Sequence, residues 1–577
     1  MKIGIDFGST YSTVSKYNPV NDSVEALHLE EGAPVSIPSA VSISTRNGTV
    51  SCGDVAKSRM GNPTFRVYDG FKMLLVEADP QIIATKKYTE DCSPRYITKC
   101  YLESILNGVL HRFGKKGETF EEVFICIPEI WCSNVSTLDG RNILSDILKN
   151  DVDVPIDKVS VVTEPESASA FFAHNYEKET GKSFNGHLLL IDYGGGTLDI
   201  TLTQVISDGR GKMEIGYREG GGVGENHPDL TGNISLGNAG LAYLQAVLVT
   251  SLQDAGFTDI DCSDVRFKRA VVDFEKALKS VDGIRHIEDT FGEFGSYNNF
   301  DDIFDEDPLI FDSIAYGYDV IDITYQHLLR AYKQTIEKIL NDEISDINRR
   351  VQNHIKRNPC KPESGEMDDF KIALVGGFGS FYLVKKQIAE IYNIVADNKN
   401  DMRFKNIRTD KSEQAISLGA ALLASGRVNL QKTARYSIGL CTKGTDKKKH
   451  LYYGIKYHQL LETGKPYFIC YNDNPKRRVI YTNLKNNLNE FAVGFSYEFN
   501  KFTKLPLKQG ILKRLESLPV ESLWYIGFSI DSNNVISVHI LPYYTTQGAN
   551  SEMKITLDSY ANMFDMTAVR EEDINDL

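Results

Sequence analysis

Two glycine-rich turns in this sequence carry residue types that bind phosphate groups. They are IGIDFGSTYSTVS, residues 3–15, and LLLIDYGGGTLDITL, residues 188–202. The backbone N–H groups of a tight glycine turn can surround phosphate oxygens, and three hydroxyl side chains add donors: Ser9, Thr10 and Thr197. A single turn of this kind is weak evidence, because an ordinary β-turn has the same composition. Two matching turns predict a clamp for the phosphates of a nucleotide.

Both turns also carry aspartates, namely Asp6, Asp192 and Asp199. A carboxylate cannot contact phosphate directly, because like charges repel. The aspartates fit a site in which a hydrated Mg²⁺ ion lies between them and the phosphates, since Mg²⁺ keeps several of its waters and takes few protein ligands. The sequence therefore predicts that Asp6 and Asp192 hold Mg²⁺ through water.

A third glycine-rich segment, LVGGFGS, lies at residues 374–380. Gly376 and Gly377 follow an apolar run and precede a helical pattern, an arrangement that lets a flat group such as adenine or ribose approach the backbone. A plain strand–helix turn explains the same residues, so both interpretations stay open. The segment does not match the G-x-x-x-x-G-K-[ST] phosphate loop.

The elements that must position these turns are predicted from hydrophobic patterning. Each of the first two turns is the bend of a β-hairpin, and one hairpin at the head of each half indicates a duplicated α/β fold. Further strands are predicted at residues 121–128, 158–163 and 370–375. Helices are predicted at residues 138–150, 164–176, 318–352, 382–392 and 411–426, and a surface loop at residues 289–308.

Beyond residue 435 the sequence alternates between apolar and polar residues in short runs, as β-strands do. We therefore predict an α/β domain at residues 1–425, a linker at 426–434, a separate β-rich domain at 435–545 and a polar tail at 546–577.

Bulk properties exclude several classes of protein. The 577 residues carry a formal net charge of −14, which argues against general binding of nucleic acid. No apolar run reaches the ~20 residues of a membrane span, and the N-terminus does not have the pattern of a signal peptide. Nine cysteines are scattered without a C-x-x-C pair, as in a protein of a reducing compartment. We expect a cytoplasmic protein that contacts neither membrane nor nucleic acid.

Four segments together resemble the actin-like ATPase superfamily, and more narrowly the heat-shock protein 70 (DnaK-like) chaperones: IDFGSTYS, TEPESASAF, IDYGGGTLD and LVGGFGS. The resemblance covers about residues 1–425 and extends, with fewer matching residues, to the β region. It implies an α/β actin-like (ribonuclease H-like) duplicated, two-lobed ATPase domain followed by a mainly β domain that binds substrate.

The resemblance also implies roles for individual residues. The segment VYDGFKMLL contains the family's catalytic lysine, here Lys72, and Glu164 helps to hold the waters of the metal. Asp192 and Thr197 complete the implied catalytic set, and Pro128 matches a proline that relays the nucleotide state. The implied ATP/ADP contacts are Gly8, Ser9, Thr10, Tyr11, Gly194, Gly195, Gly196, Thr197, Glu275, Lys279, Gly376, Gly377 and Phe378.

The sequence departs from the family pattern in three places. Lys279 replaces the usual arginine on the helix that stacks on adenine, and a lysine stacks less well than a planar guanidinium. Phe378 lies where the family has different residues after the glycines. The linker, GRVNLQKTARYSIGL, lacks the family's leucine run, and no long helical lid follows the β region.

We therefore predict an Hsp70-like chaperone that hydrolyses ATP with Mg²⁺ and binds unfolded or extended polypeptides. A J-domain co-chaperone and a nucleotide exchange factor are possible partners. A nucleotide-regulated scaffold or an actin-like filament protein is the alternative, although the additional β domain argues against it. A sugar kinase shares the two phosphate hairpins but needs a sugar site, for which the sequence gives no convincing signal.

Overall fold

The computed structural model describes residues 1–77, 80–86, 88–133, 140–194, 197–207, 212–223, 239–294, 309–338, 340–341, 345–357, 370–377, 379, 381–392, 407–409, 413–435, 437–443, 449–457, 459–471, 474–480, 492–498, 501–506, 513, 524–530, 536–542, 553–556 and 570–573. Within these residues, no helix combines the length and the apolar character that crossing a bilayer requires.

The first part of the chain is built on a mixed sheet, sheet I. Its strands and those of a small neighbouring sheet are β1 (Lys2–Asp6), β2 (Tyr11–Asn18), β3 (Ser23–Ala26), β4 (Ile37–Pro38), β5 (Ala40–Ser44), β6 (Val50–Cys52), β7 (Phe65–Asp69), β8 (Glu122–Ile127) and β9 (Val159–Thr163). Its helices are α1 (Gly53–Ser58), α2 (Phe71–Leu74), α3 (Pro80–Thr85), α4 (Pro94–Phe113), α5 (Ile130–Ser133), α6 (Gly140–Asp146) and α7 (Glu164–Thr180), with a π-helical turn at Ile147–Asp151.

The second part is built on sheet II. Its strands, with one separate hairpin, are β10 (Gly186–Tyr193), β11 (Leu198–Ser207), β12 (Met213–Val223), β13 (Leu309–Tyr316), β14 (Asp319–Thr324), β15 (Phe370–Val375), β16 (Ile407–Arg408) and β17 (Val428–Gln431). Its helices are α8 (Ala239–Asp254), α9 (Val265–Lys279), α10 (Val281–Phe294), α11 (Tyr325–Gln334), α12 (Ile336–Lys338), α13 (Ser345–Arg357), α14 (Tyr382–Ile391) and α15 (Ala415–Ser425).

The two sheets share the order of five strands. In sheet I the strand order is β3-β2-β1-β8-β9, with β4 also paired to β2, and in sheet II it is β16-β15-β10-β11-β12-β17. In each sheet the hairpin strands are antiparallel, and the first of them pairs in parallel with a later strand, β8 or β15. The two predicted hairpins are thus confirmed, and each bend lies at the same place in its sheet.

A single hydrophobic cluster joins the two sheets through α7 and α15. It includes Cys126 and Val162 from sheet I and Leu190 and Val375 from sheet II. The start of α7 is fixed locally, because Thr163 and Glu166 form a reciprocal capping box and a proline occupies the first turn. The first residues of α7 therefore have a defined direction relative to both sheets.

The described residues beyond 435, the third part of the chain, form two antiparallel sheets. Their strands are β18 (Ser437–Lys443), β19 (Lys449–Ile455), β20 (Tyr467–Phe468), β21 (Ala492–Glu498), β22 (Lys501–Pro506), β23 (Trp524–Ile530), β24 (Ile536–Pro542), β25 (Met553–Thr556) and β26 (Arg570–Asp573). The sheet orders are β19-β18-β21-β22-β26 and β20-β23-β24-β25. The β structure therefore extends past residue 545, where the sequence suggested a polar tail.

The segment predicted to be a linker is not free of the α/β part. Within residues 426–434, β17 pairs in parallel with β12 at the edge of sheet II. Thr433 Oγ1 then donates to the carbonyl oxygen of Tyr217, 3.2 Å away, and Ala434 N–H donates to Gln459 O at 2.9 Å. The chain thus enters the third part while hydrogen-bonded to sheet II.

Two secondary-structure predictions were wrong in detail. The helix predicted from residue 318 begins only at Tyr325, because the β-branched run DVIDIT forms β14 and pairs with β13. The loop predicted at 289–308 begins as helix, since α10 continues to Phe294; residues 295–308 lie outside the described part of the chain.

Candidate functional site

The first glycine turn joins β1 to β2 and is held from behind by Ser39. The hydroxyl of Ser39 donates to Gly8 O at 2.7 Å, and its N–H donates to Thr10 O at 2.8 Å. A Cβ atom added to Gly8 would lie 2.0 Å from the carbonyl oxygen of Tyr11. Only glycine fits there. Ser9 and Thr10 are half-buried in the bend, and the Tyr11 hydroxyl accepts a hydrogen bond from Lys57 Nζ at 2.6 Å.

The second glycine turn joins β10 to β11 and places two aspartates side by side. Asp192 and Asp199 are direct partners across the hairpin. The turn is closed by a hydrogen bond from Gly194 N–H to Thr197 O at 3.0 Å, and Thr197 is buried. Gly195 and Gly196 lie outside the described residues.

The ends of the two hairpins bring buried carboxylates together with a buried lysine. Asp6, Asp192, Asp199, Lys72 and Glu164 are each at most 9% exposed. Lys72 Nζ donates to Glu164 Oε1 at 2.5 Å. This set, called the acidic cluster below, contains four carboxylates and one ammonium group.

Burial and mutual repulsion disfavour ionisation of the aspartates. Burial, with a contribution from the charge of Glu164, raises the pKa of Asp6 from its ordinary 3.8 to about 8, although Lys72 opposes the rise. Burial, Glu164 and the other two aspartates raise the pKa of Asp192 well above its usual range. Burial alone would lower the pKa of Lys72, but Glu164 and Asp6 raise it. The lysine is therefore a fixed cation in a site that has an excess of acidic groups.

The acidic cluster fits a hydrated Mg²⁺ ion. Asp199 Oδ1 accepts the Ile130 N–H at 3.2 Å, whereas its Oδ2 atom is buried and accepts no hydrogen bond from any described residue. A buried, unpaired carboxylate oxygen is costly unless a water or a cation contacts it. In the described part of the chain, no three His, Cys, Asp or Glu side chains are grouped closely enough to hold a metal ion. Carboxylate oxygens such as Asp199 Oδ2 suit an ion that keeps its waters, because such an ion is contacted through water.

The third glycine segment adjoins the same cluster. Gly376 has a φ of +82°, and a Cβ added to it would lie 2.4 Å from Tyr193 O and 2.5 Å from Asp192 Oδ1. The β15–α14 turn thus lies directly against the end of β10. Gly377 is in the same turn, and Phe378 is outside the described residues.

The structure does not test the predicted adenosine contacts. Glu275 is half-buried on α9, whose last residue is Lys279. This helix packs against α8, α10 and β13. The contacts of Glu275, Lys279 and Phe378 with a nucleotide therefore stay predictions.

Gly376→Ala is expected to lower the free energy of unfolding by about 2–4 kcal/mol. Alanine is strained in the left-handed backbone conformation of this position, and its Cβ atom would clash with Tyr193 O and Asp192 Oδ1. The matched control is Gly48→Ala, since Gly48 has a φ of +70° but no atom within 4 Å of an added Cβ. Urea denaturation of both variants measures the difference. Equal losses in the two variants would show that the contact with Asp192 is not tight.

Sequence reasoning missed two charged residues next to this site. Glu129 directly follows Pro128 and is fully buried, and Arg435 is 9% exposed. They form an ion pair although 306 residues separate them. The only local signal was the Glu129 carboxylate itself, since a charged residue inside an apolar stretch such as CIPEIWC needs a buried partner.

Comparisons with known proteins find partial similarity to chaperones. No protein-family model matches the chain. It is 26% identical over 236 residues to a ribosome-associated molecular chaperone of Saccharomyces cerevisiae, which covers 35% of this chain and 34% of that protein. It is 27% identical over 232 residues to a heat shock protein of Pyricularia oryzae, with shares of 35% and 34%.

A viral protein shows a similar partial likeness. The chain is 24% identical over 225 residues to movement protein Hsp70h of Lettuce infectious yellows virus, which covers 35% of this chain and 37% of the relative. The aligned part thus spans about a third of the length of these relatives. The similarity to Hsp70-family chaperones is distant and partial.

Proposed function

We propose that this protein is an Hsp70-like molecular chaperone that binds and hydrolyses ATP with Mg²⁺. The observation that carries the proposal is the acidic cluster, in which Asp6 and Asp192 end matched hairpins beside the Lys72–Glu164 pair. The partial similarity to chaperones supports the same assignment.

In this proposal, each part of the cluster has a separate task. The backbone N–H groups of the two glycine turns, with the hydroxyls of Thr10 and Thr197, hold the phosphates. Asp6 and Asp192 hold the waters of Mg²⁺, which when bound neutralises charge on the phosphate oxygens. Lys72 presents its ammonium group to the terminal phosphate, and Glu164 fixes the direction of that group. The contribution of the protein is positioning and charge stabilisation.

The acidic cluster is connected to the third part through the strands of sheet II. The acidic cluster lies at the ends of strands from both sheets, and β17 ties the start of the third part to the edge of sheet II. We propose that a change in the angle between the two sheets alters the affinity of the β-rich part for extended polypeptides. A J-domain co-chaperone and an exchange factor are further proposed partners.

ATP turnover, measured with and without an extended hydrophobic peptide, tests this function. Mg²⁺-dependent release of inorganic phosphate is expected, and the peptide is expected to change its rate by about two-fold or more, because coupling between two sites is reciprocal. Transfer of the phosphate to a sugar would instead indicate a kinase. Nucleotide-dependent pelleting without an effect of peptide would indicate a filament protein. Absence of ATP binding would refute the proposal.

A further inference from the structure

Arg435 lies at the junction between β17 and the third part, yet its guanidinium is buried among groups of the α/β part. One nitrogen contacts Glu129 and the other lies 2.7 Å from Glu166 Oε1. The central carbon of the guanidinium, Cζ, also lies 4.4 Å from the centre of the Tyr217 ring on β12. Burial alone would lower the pKa of Arg435, but Glu129 and Glu166 raise it well above its usual value. Arg435 is therefore a permanent cation that joins two carboxylates.

The first partner of Arg435, Glu129, is connected to the acidic cluster through the next residue in the chain. Glu129 is adjacent in the chain to Ile130, whose N–H donates to Asp199 Oδ1 at 3.2 Å. Rotation of the Glu129–Ile130 peptide would remove this hydrogen bond, the only one described for the Asp199 carboxylate. The contact of Arg435 with the Glu129 side chain restrains that peptide.

The second partner of Arg435, Glu166, is connected to the same cluster through the first turn of α7. Glu166 is in the first turn of α7, where its Oε2 atom accepts from the Thr163 hydroxyl at 2.9 Å. Glu164, two residues earlier in the same turn, holds Lys72. A bond to Glu166 therefore fixes the rotation of the helix end that presents Glu164.

We propose that Arg435 is a positioning residue for the nucleotide site: it holds Glu129 and Glu166, and thereby fixes the Ile130 N–H on Asp199 and Glu164 on Lys72. The proposal rests on the ATPase function proposed above.

The variant Arg435→Met tests this role, because it keeps an apolar stem of similar length and removes the charge. The expected result is a kcat for ATP that is about 10-fold lower, with a KM that changes less than about 3-fold, since positioning affects the reacting geometry more than ground-state binding. Arg435→Lys should restore part of the loss. The matched control is Arg427→Met, because Arg427 precedes the same strand but pairs with Asp22 at 3.0 Å and is 39% exposed.

Hydrogen exchange at the Ile130 amide supplies a readout that does not depend on turnover. Exchange of peptides that cover Ile130 is expected to become at least about 10-fold faster in Arg435→Met and to stay unchanged in Arg427→Met. If wild-type protein did not hydrolyse ATP, the proposed function would fail, but exchange at Ile130 would still decide the positioning role.

A double variant separates a direct route from general loss of stability. If Arg435 acts through Glu129, adding Glu129→Gln to Arg435→Met should lower kcat no further than the worse single variant does. Normal protection of Ile130 in Arg435→Met, or losses of kcat that multiply in the double variant, would overturn the proposal.

Discussion

Lys72→Met is expected to lower the rate of ATP hydrolysis by about 100- to 1,000-fold, the range found when one preorganised donor is removed from a transition state. The side chain is 3% exposed, and its Nζ atom donates to Glu164 at 2.5 Å. Methionine fills nearly the same volume but carries no charge. Without the ammonium group the cluster presents only carboxyl groups to the incoming phosphates. The negative charge on the phosphate oxygens in the transition state then has no neighbouring lysine to stabilise it.

The control for this variant is another buried lysine. Lys371 is 8% exposed and lies in β15, paired with Leu188 near the far end of sheet II from Gly376. Lys371→Met should reproduce any loss of stability that comes from removing a buried ammonium, but it should leave kcat within about 3-fold of wild type. Steady-state phosphate release measures both variants. Equal turnover in Lys72→Met and wild-type protein would remove Lys72 from the mechanism.

The parts of the site that could be predicted from the sequence are those that depend on local chain geometry. A run such as LLLIDYGGGTLD specifies a strand, a bend and a returning strand within one segment, so the pairing of Asp192 with Asp199 follows from the hairpin alone. The same holds for the matching hairpin that contains Asp6. The strand order that the two sheets have in common, β3-β2-β1-β8-β9 in sheet I and β12-β11-β10-β15-β16 in sheet II, then follows from the repetition of this unit.

The parts that could not be predicted depend on contacts between distant segments. Arg435 and Glu129 are separated by 306 residues, and no periodic pattern in either segment identifies the other as its partner. Strand β26, at Arg570–Asp573, pairs with β22 although its four residues, REED, have a low β-propensity. In such cases pairing is set by the sheet edge that the fold leaves available.

The misread helix at residue 318 has a different cause. In DVIDIT the apolar residues recur at spacings that suit either a strand or one face of a helix, and the segment runs directly into the helix Tyr325–Gln334. Pairing with β13 decides in favour of a strand. Short apolar runs of this kind are assigned by their partners, which the sequence does not reveal.

Asp6→Asn is expected to stabilise the ligand-free protein while it removes Mg²⁺-dependent turnover. The pKa of Asp6 is raised from 3.8 to about 8, chiefly by burial. Between these two pH values the unfolded chain loses the Asp6 proton while the folded protein keeps it, so the free energy of unfolding of the wild type falls as the pH rises through this window. Asparagine has no proton to lose, and its amide resembles the neutral acid in shape.

The advantage of Asp6→Asn should therefore be absent near pH 4, grow with pH and level off above about pH 8, where it reaches the order of several kcal/mol. Urea denaturation at a series of pH values measures it, with Asp54→Asn, an exposed substitution on α1, as the control for the general effect of an Asp-to-Asn change. After addition of Mg²⁺ and ATP, the wild type should become more stable than Asp6→Asn, because a bound cation favours the ionised carboxylate and stabilises only the wild type. An advantage independent of pH would mean that Asp6 is already ionised in the ligand-free protein, and that Lys72 alone compensates its charge.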